Sequence, residues 1–596
     1  MSNRLGLFAP PEHAVLSLSV QAAASVPNRE QRQFEVLVRH LVFRFLHNEL
    51  LTSDNETRRV ITISYVVALP TLLVSMFLYP AYHAFPPAPY PRPFWPQVGD
   101  HYFYVMYSFL IMGAATVYEW DLLFPDLLDV FVLSVLPISG RRLFAARVLA
   151  LAIFLGLVLV GTGILGNLML PMVAELPHTG RHFLAHFVAI LMSGSFAATT
   201  FLALQGVLLN TIGERLFRRI TPLLQGGSIM LLLMILLLYP TLSRSIQPLF
   251  TANVAAVRWF PPFWFLGVYE RLLQGPSTSP LFTHLARTGS LALAAMIALV
   301  FITYPLAYRR RVRQVIEGGQ TQETTHRNAS SLRHLLHVVL VRLPAQRSVF
   351  HFVSQTILRA QRQRIMLALY GGLALALSLA NMLVLHIVGG RIRPALLPYG
   401  IRAAVPIMAF WTVIALTSIL SAPIDRRGAW IFSVLLGRPG HGHFAGTRLW
   451  ITAWAVVISG STASILHLLS PLAMRMPRIF AGQLLVAAGL SLLLTDMRLF
   501  SVRTIPFTHL RTSSVSDFPL MIVRYFVLFP VLVSVVVSAE HWIEASLPHL
   551  VETALLFAVA HMVFVQANAR SIRQSTIETP LEESEEFLQR LGLRDA

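Results

Sequence analysis

The sequence predicts an all-α, polytopic integral membrane protein with about 12 transmembrane helices, because of its composition and its apolar runs. Of 596 residues, 55% are hydrophobic and 13% are charged, whereas soluble domains carry about 25% charged residues. So few charges could not cover a soluble surface. Apolar runs of about 20 residues, enough to cross a bilayer as a helix, recur along the chain. The 12 runs begin near Val60, Tyr102, Leu143, Phe183, Leu223, Leu291, Ile365, Ala403, Trp450, Ile479, Pro519 and Leu547.

Two residue types are missing, and each absence excludes a class of site. The chain has no Cys, which excludes disulfides, thiolate metal sites and cysteine nucleophiles. It also has no Lys, so all 47 basic residues are Arg. A phosphate-binding loop of the Walker type requires a Lys. We therefore expect no ATP site, no cofactor and no catalytic residues in this chain, and any ATP that drives it must bind to another chain.

The formal charge of +19 predicts contact with anionic membrane lipids and not with nucleic acid. The Arg residues lie in short segments between apolar runs, as in the cytoplasmic loops of membrane proteins. With the N-terminus in the cytoplasm, most of them fall on the cytoplasmic side, for example Arg58-Arg59, Arg309-Arg310-Arg311 and Arg570. We therefore expect both termini in the cytoplasm, with the protein in a bacterial inner membrane.

Two stretches predict amphipathic helices at the cytoplasmic membrane surface, each just before a span. From Asn28 to Leu50, apolar residues recur at i, i+3, i+4 and i+7, while Arg32 and Glu35 fall on the other face. The stretch from 332 to 343 repeats the pattern before the seventh span. The alternative for both is a face that packs against protein.

The halves of the chain resemble each other at an offset close to 300 residues. Phe43-Arg-Phe45-Leu46 matches Phe350-His-Phe352-Val353, and Ser134-Val-Leu136 matches Ser433-Val-Leu435. Six spans per half would make both halves enter from the same side, as a parallel repeat. The predicted divisions are a cytoplasmic N-terminus (1–59), a first six-span half (60–307), a cytoplasmic linker (308–364), a second six-span half (365–569) and an acidic cytoplasmic tail (570–596).

The loop after the second span has the densest set of acidic residues among the interior loops: Glu119, Asp121, Asp126 and Asp129. Such carboxylates could hold a divalent cation or serve general acid–base catalysis. The Leu and Phe residues between them favour a short helix that packs against the membrane and docks a partner. We therefore expect no metal site here.

The same loop continues as Leu136-Pro-Ile-Ser139 and Arg141-Arg142-Leu-Phe-Ala-Ala-Arg147, which resembles the signature of type-two ABC exporter permeases. In that family a basic residue, commonly Lys where Arg147 stands here, opens the third span. The resemblance implies a cytoplasmic coupling helix that binds a separate ATPase subunit. The second half reads Leu435-Leu-Gly-Arg438 and lacks the motif. The residues implied for coupling are Glu119, Trp120, Asp121, Asp126, Asp129, Pro137, Arg141, Arg142, Asp425, Arg426, Arg427 and Trp430.

The resemblance also implies a re-entrant outer element between spans five and six. An aromatic, proline-broken segment stands there, with candidate residues Trp259, Pro261, Pro262, Trp264, Tyr269 and Glu270. In the second half the corresponding outer loop, 539–546, is too short for such an element.

Histidines at 178, 182 and 186 have helical i+4 spacing near the outer surface, with Glu175 as a possible further ligand. Zinc sites need a third ligand within reach, and ordinary interfacial histidines are the favoured interpretation. No Asp or Glu falls in the middle of a predicted span, with Asp496 and Glu552 near ends only. Because ion-driven transporters bury such a group, this pattern disfavours ion-driven transport.

The favoured hypothesis is the membrane-spanning component of an ATP-driven exporter, with a lipid or hydrophobic cargo mildly favoured. One alternative is a polytopic lipid or glycosyl transferase that uses the acidic loop. Arginine counting places that loop in the cytoplasm, on the wrong side for exported lipid-linked sugars. The other alternative is a permease-derived scaffold that transports nothing.

Overall fold

The chain folds into long apolar helices. The computed structural model describes residues 29–46, 56–83, 92–120, 123–124, 130, 138–174, 179–212, 214–317, 343–388, 391–421, 441–470, 475–500, 506–507 and 528–574. Within these ranges, nine helices are long and apolar enough to cross a membrane. The protein is thus a helical, polytopic integral membrane protein, which confirms the predicted class at this level.

The first half is built from helices only, within the part that the structure describes. In chain order they are α1 (Arg29–Leu46), α2 (Glu56–Tyr82), α3 (Phe94–Tyr118), α4 (Gly140–Ala174), α5 (Thr179–Thr211), α6 (Glu214–Leu237), α7 (Tyr239–Thr251), α8 (Ala255–Trp259), α9 (Pro261–Gln274) and α10 (Pro280–Glu317). α3 contacts α4, α5, α6 and α9, and is therefore the central helix of this half.

The second half contains α11 (Pro344–Arg359), α12 (Gln361–Met382), β1 (Leu383–Val388), β2 (Arg391–Leu396), α13 (Pro398–Ser421), α14 (His441–Leu469), α15 (Pro477–Leu499), α16 (Phe529–Ala545) and α17 (Leu547–Gln574). Here α13 has the central position, in contact with α12, α14, α15 and α16. Nearly all of its side chains are buried, from Gly400 to Leu420.

The all-α prediction missed one antiparallel hairpin. β1 pairs with β2 from Leu383–Leu396 to Val388–Arg391, and β1 contacts α7 of the first half. The sequence between the strands is Gly389-Gly390. Two β-prone runs separated by exactly two glycines are a hairpin signal, but the first run adjoins the apolar end of the seventh span and was counted with it.

Nine of the 12 predicted spans coincide with helices of sufficient length and hydropathy. The first two fall on α2, of which the apolar stretch Ala68–Tyr82 is described, and on α3, which carries Asp100 and His101. The eleventh was predicted to begin at Pro519, which lies outside the described residues, and α16 begins at Phe529. α10 and α17 continue past the predicted boundaries at 307 and 569, to Glu317 and Gln574.

The N-terminal amphipathic helix is present as α1. Leu37, Val38 and Leu41 are buried in a cluster with Ala146 and Ala150 of α4. Its apolar face therefore packs against a long apolar helix of the same chain. The second predicted amphipathic stretch lies outside the described residues except at position 343.

The two halves meet where α6 packs against α12. A Cβ at Gly372 would lie 2.9 Å from the Cα of Met230, and one at Gly226 would lie 3.3 Å from the Cβ of Ala368. Glycine is needed at 372 because any side chain would collide with the backbone of the facing helix. This close approach fixes the contact between the halves.

Candidate functional site

Five polar side chains meet where α3, α5 and α9 converge, and we call them the histidine cluster. They are His101 of α3, His182 and His186 of α5, and Tyr269 and Glu270 of α9. Each is at most 1% exposed. Polar groups are placed in such surroundings only when they bind one another, because each unpaired group costs free energy.

Glu270 is the acidic residue of the histidine cluster. Its Oε1 lies 2.7 Å from Nδ1 of His101, and its Oε2 accepts a hydrogen bond of 2.6 Å from Nε2 of Gln274. Both carboxylate oxygens are therefore satisfied. Removing either partner would leave a buried charge with too few hydrogen bonds, which is strongly destabilising.

Tyr269 joins the two histidines of α5. Its hydroxyl lies 2.7 Å from Nε2 of His182 and 3.1 Å from Nδ1 of His186. One hydroxyl proton can serve only one of these nitrogens, so the other ring must donate its N–H to the hydroxyl oxygen. The phenol ring also stacks on His101, with the centroids 4.1 Å apart. Two tautomer arrangements satisfy this geometry: the hydroxyl donates to His182 and accepts from His186, or it donates to His186 and accepts from His182.

Three ring nitrogens of the histidine cluster have no hydrogen-bond partner: His101 Nε2, His182 Nδ1 and His186 Nε2. Within the described part of the chain, no three His, Asp or Glu side chains converge as a metal site. Glu175 and His178, which the sequence analysis placed beside them, lie outside the described residues. The cluster fastens α9 to α3 and α5.

A second polar group lies next to the histidine cluster, at the start of α3. Asp100 accepts hydrogen bonds from Nε and Nη2 of Arg92 at 2.7 and 2.9 Å, and one from the hydroxyl of Tyr82 at 3.0 Å. The hydroxyls of Tyr104 and Ser75 lie 2.7 Å apart. These contacts fasten the end of α2 to the beginning of α3.

The segment predicted as an outer element is a broken helix. α8 and α9 are separated by Phe260, which is extended (φ −92°, ψ 112°), and Pro261 follows as the first residue of α9. A proline is tolerated there because the first N–H groups of a helix have no intrahelical acceptor. Trp264 donates a hydrogen bond of 2.7 Å to the carbonyl of Arg258. Pro262 is buried, whereas Trp259 is 81% exposed.

The end of α3 is held by side chains of four neighbouring helices, each donating to a backbone carbonyl. Those donors are Arg147 of α4 to Phe124 (2.6 Å), Gln205 of α5 to Trp120 (2.7 Å), Gln225 of α6 to Val117 (3.0 Å) and Tyr304 of α10 to Leu123 (2.7 Å). Arg147 is the basic residue that the resemblance places at the opening of the third span. The structure shows that it binds the loop that precedes that span.

The residues assigned to coupling divide into three groups. Glu119 and Trp120 are buried, at 8% and 0% exposure, so neither presents its side chain at the surface, where a residue that docks a partner was expected. Arg141 and Arg142 are exposed at the start of α4. The remaining residues lie outside the described ranges: Asp121, Asp126, Asp129, Pro137, Asp425, Arg426, Arg427 and Trp430.

The sequence analysis found Tyr269, Glu270, His182 and His186 but not His101. His101 and Glu270 are 169 residues apart, and no local spacing relates them. It also placed carboxylates only near span ends, whereas Asp496 is fully buried between Arg448 (3.1 Å) and His561 (2.5 Å). The segment predicted as an outer loop from 539 is helical to Ala545.

Comparison with protein-family models, with curated proteins and with solved structures finds no match for this chain.

Proposed function

We propose that this protein is the membrane-spanning permease of an ATP-driven exporter in a bacterial inner membrane, with the ATPase on a separate chain. The observation that carries the proposal is the broken element α8–α9 between α6 and α10. The exporter resemblance implies such an element between spans five and six. It packs inside the helical domain and not as a loose surface loop.

The packing of α9 supports this interpretation. A Cβ at Gly267 would lie 2.6 Å from the Cβ of Leu285 and 2.8 Å from the carbonyl oxygen of Phe282, so α9 approaches α10 as closely as a helix can. Phe265 and Leu266 are fully buried. Together with the histidine cluster, these contacts make the outer element one body with α3, α5 and α10.

Several contacts recur in both halves and support a parallel repeat of six spans each. α1 packs on α4, and α11 packs on α14 in the same way, each amphipathic helix against the third span of its half. The start of the second span pairs with a carboxylate that precedes the last span: His101 with Glu270, and Arg402 with Glu544. His101 and Arg402 are separated by 402 − 101 = 301 residues, the offset of the sequence matches.

The mechanism that this geometry supports is mechanical. α3 has 25 residues and at 1.5 Å per residue is about 37 Å long. At one end His101 binds Glu270 of the outer element. At the other end Arg147 and Gln205 donate hydrogen bonds to the residues that follow the helix. A displacement of the loop after α3 by an ATPase subunit would therefore reach the outer element through one rigid helix. Rocking of one half against the other would follow at the α6–α12 contact.

The test is co-purification of an ATPase with the full-length, tagged chain from membranes of its own organism. We expect a subunit with Walker motifs and vanadate-sensitive ATP hydrolysis. The double substitution Arg141→Glu and Arg142→Glu, or Asp126→Arg with Asp129→Arg, should reduce the bound ATPase at least tenfold. Charge pairs in an interface are worth about 2–5 kcal/mol when buried.

The matched control is Arg287→Glu. Arg287 is an exposed arginine near the start of α10, away from the loop that is proposed to bind the ATPase. This variant should leave the bound ATPase unchanged, and thermal unfolding should show that every variant is folded. A wild-type preparation without an ATPase would contradict the proposed function. Full retention of the ATPase by both charge reversals would remove this loop from the coupling role.

A further inference from the structure

Two carboxylates on α16, Glu540 and Glu544, form what we call the carboxylate pair. They lie one helical turn apart, near the point where Ser546 separates α16 from α17. Glu544 forms an ion pair with Arg402 of α13, with 2.9 Å between Oε2 and Nη2. Glu540 is 0% exposed, and neither of its oxygens has a hydrogen-bond partner. It stands out because a buried carboxylate is normally paired.

The charges of this region do not balance if both glutamates are ionised. Arg402 supplies one positive charge. Its Nη1 lies 3.3 Å from Nε2 of His541, and because an arginine only donates, that nitrogen must be unprotonated and the imidazole neutral. One negative charge would remain uncompensated in the interior. A carboxylate so placed takes up a proton or another cation.

The helices packed against α16 are α13, α15 and α17. Their charged or titratable groups near this contact are Arg402 on α13, Arg478 on α15, and His549 and Glu552 on α17. Arg478 and Glu552 are exposed, and His549 stacks on Trp542 with the centroids 4.0 Å apart. The charges that act on Glu540 are those of Glu544 and Arg402.

We propose that Glu540 is a proton-binding site, with its carboxyl protonated in the conformation described and Arg402 held by Glu544. On release, the O–H bond of Glu540 breaks and the proton passes to water at the exposed edge beside His541. Arg402 then turns toward the new carboxylate. Its Nε has no hydrogen-bond partner, so the guanidinium has a donor available for Glu540 without losing Glu544.

This switch is geometrically feasible because residues at i and i+4 of a helix have Cβ atoms about 5–6 Å apart. One guanidinium can therefore reach both carboxylates from the same side. The site differs from the histidine cluster, in which both oxygens of Glu270 are bound. It does not depend on the proposed exporter function, and its test requires no ATPase.

The first experiment is a pH titration of the full-length protein in lipid nanodiscs. Infrared spectroscopy monitors the band of the protonated carboxyl group at each pH. At neutral pH the wild type should show a buried carboxyl band that E540Q lacks. Glutamine has the shape and neutrality of a protonated glutamic acid, so the variant should fold. E552Q, which removes the exposed carboxylate of α17, should keep the band. R402Q should add a second band, because Glu544 would then also take up a proton.

Stability provides a second measurement. In the unfolded chain, Glu540 releases its proton above about pH 4.3, whereas the folded protein retains it. The contribution of this proton to the free energy of unfolding of the wild type is therefore fully present below that pH and declines as the pH rises. The unfolding constant of the wild type, divided by that of E540Q, should increase tenfold per pH unit until folded Glu540 itself ionises. The same ratio for wild type and E552Q should stay flat.

Either of two results would overturn the proposal: no wild-type band that depends on Glu540, or a ratio to E540Q that does not change with pH. A band that is missing in sodium chloride and returns in choline chloride would show that a metal cation occupies the site. That outcome also rejects the proton assignment. If R402Q gains no second band, Arg402 does not hold Glu544 ionised, and the charge count on which the proposal depends is wrong.

Discussion

Replacing Tyr269 by Phe isolates the hydrogen bonds of the histidine cluster from its packing. The ring remains, and only the hydroxyl that joins His182 to His186 is lost. Each buried polar group left without a partner costs about 1–3 kcal/mol. Two imidazole nitrogens lose theirs, so the variant should be less stable by about 2–6 kcal/mol. The measurement is thermal unfolding of the full-length protein in detergent, with hydrogen exchange of the α9 amides as a local readout.

Tyr102→Phe is the matched control. Tyr102 is also 0% exposed, but its hydroxyl has no hydrogen-bond partner. Removing an unpaired buried hydroxyl relieves a desolvation penalty, so this variant should be as stable as the wild type or more stable. If the two variants unfold at the same temperature, the bridging hydrogen bonds contribute nothing measurable. The account of the cluster as the fastening of α9 would then be wrong.

Three further substitutions test the interior of the fold. Gly372→Val should weaken the α6–α12 contact by about 1–3 kcal/mol through overpacking, whereas Gly227→Ala should stabilise α6 by about 0.5–1 kcal/mol, because a Cβ at Gly227 would meet open space. Thermal unfolding would distinguish the two variants. Equal effects would contradict the close approach at Met230. Trp120→Ala should cost about 3–5 kcal/mol because a fully buried ring leaves a cavity, and a loss of stability near zero would instead favour a surface anchor.

The buried carboxylates change one inference about energy coupling. The sequence analysis disfavoured ion-driven transport because no acid fell in the middle of a predicted span. Asp496 and Glu540 are nevertheless fully buried. The eleventh span was predicted to end before Glu540, which the helix α16 instead contains. The argument against ion-driven transport therefore loses its premise, and position along a span is a poor guide to burial.

The features that could be predicted are those that depend on residues close together in the sequence. The membrane class follows from composition, and α1 from the i, i+3, i+4 spacing of Leu37, Val38 and Leu41. The break at Pro261 follows from proline chemistry. His182 and His186 share a helix face because they are four residues apart. Each of these properties depends only on residues close in sequence.

Composition and local pattern are enough to identify the bilayer as the solvent, the helical class, and the helix break that precedes Tyr269 and Glu270. The packing of the helices is what pairs His101 with Glu270, buries Trp120 and leaves Glu540 without a partner. The physical reason is that an apolar run looks the same whether it faces lipid or another helix. Which polar groups meet therefore depends on how the helices pack, and that arrangement is not written in any local pattern.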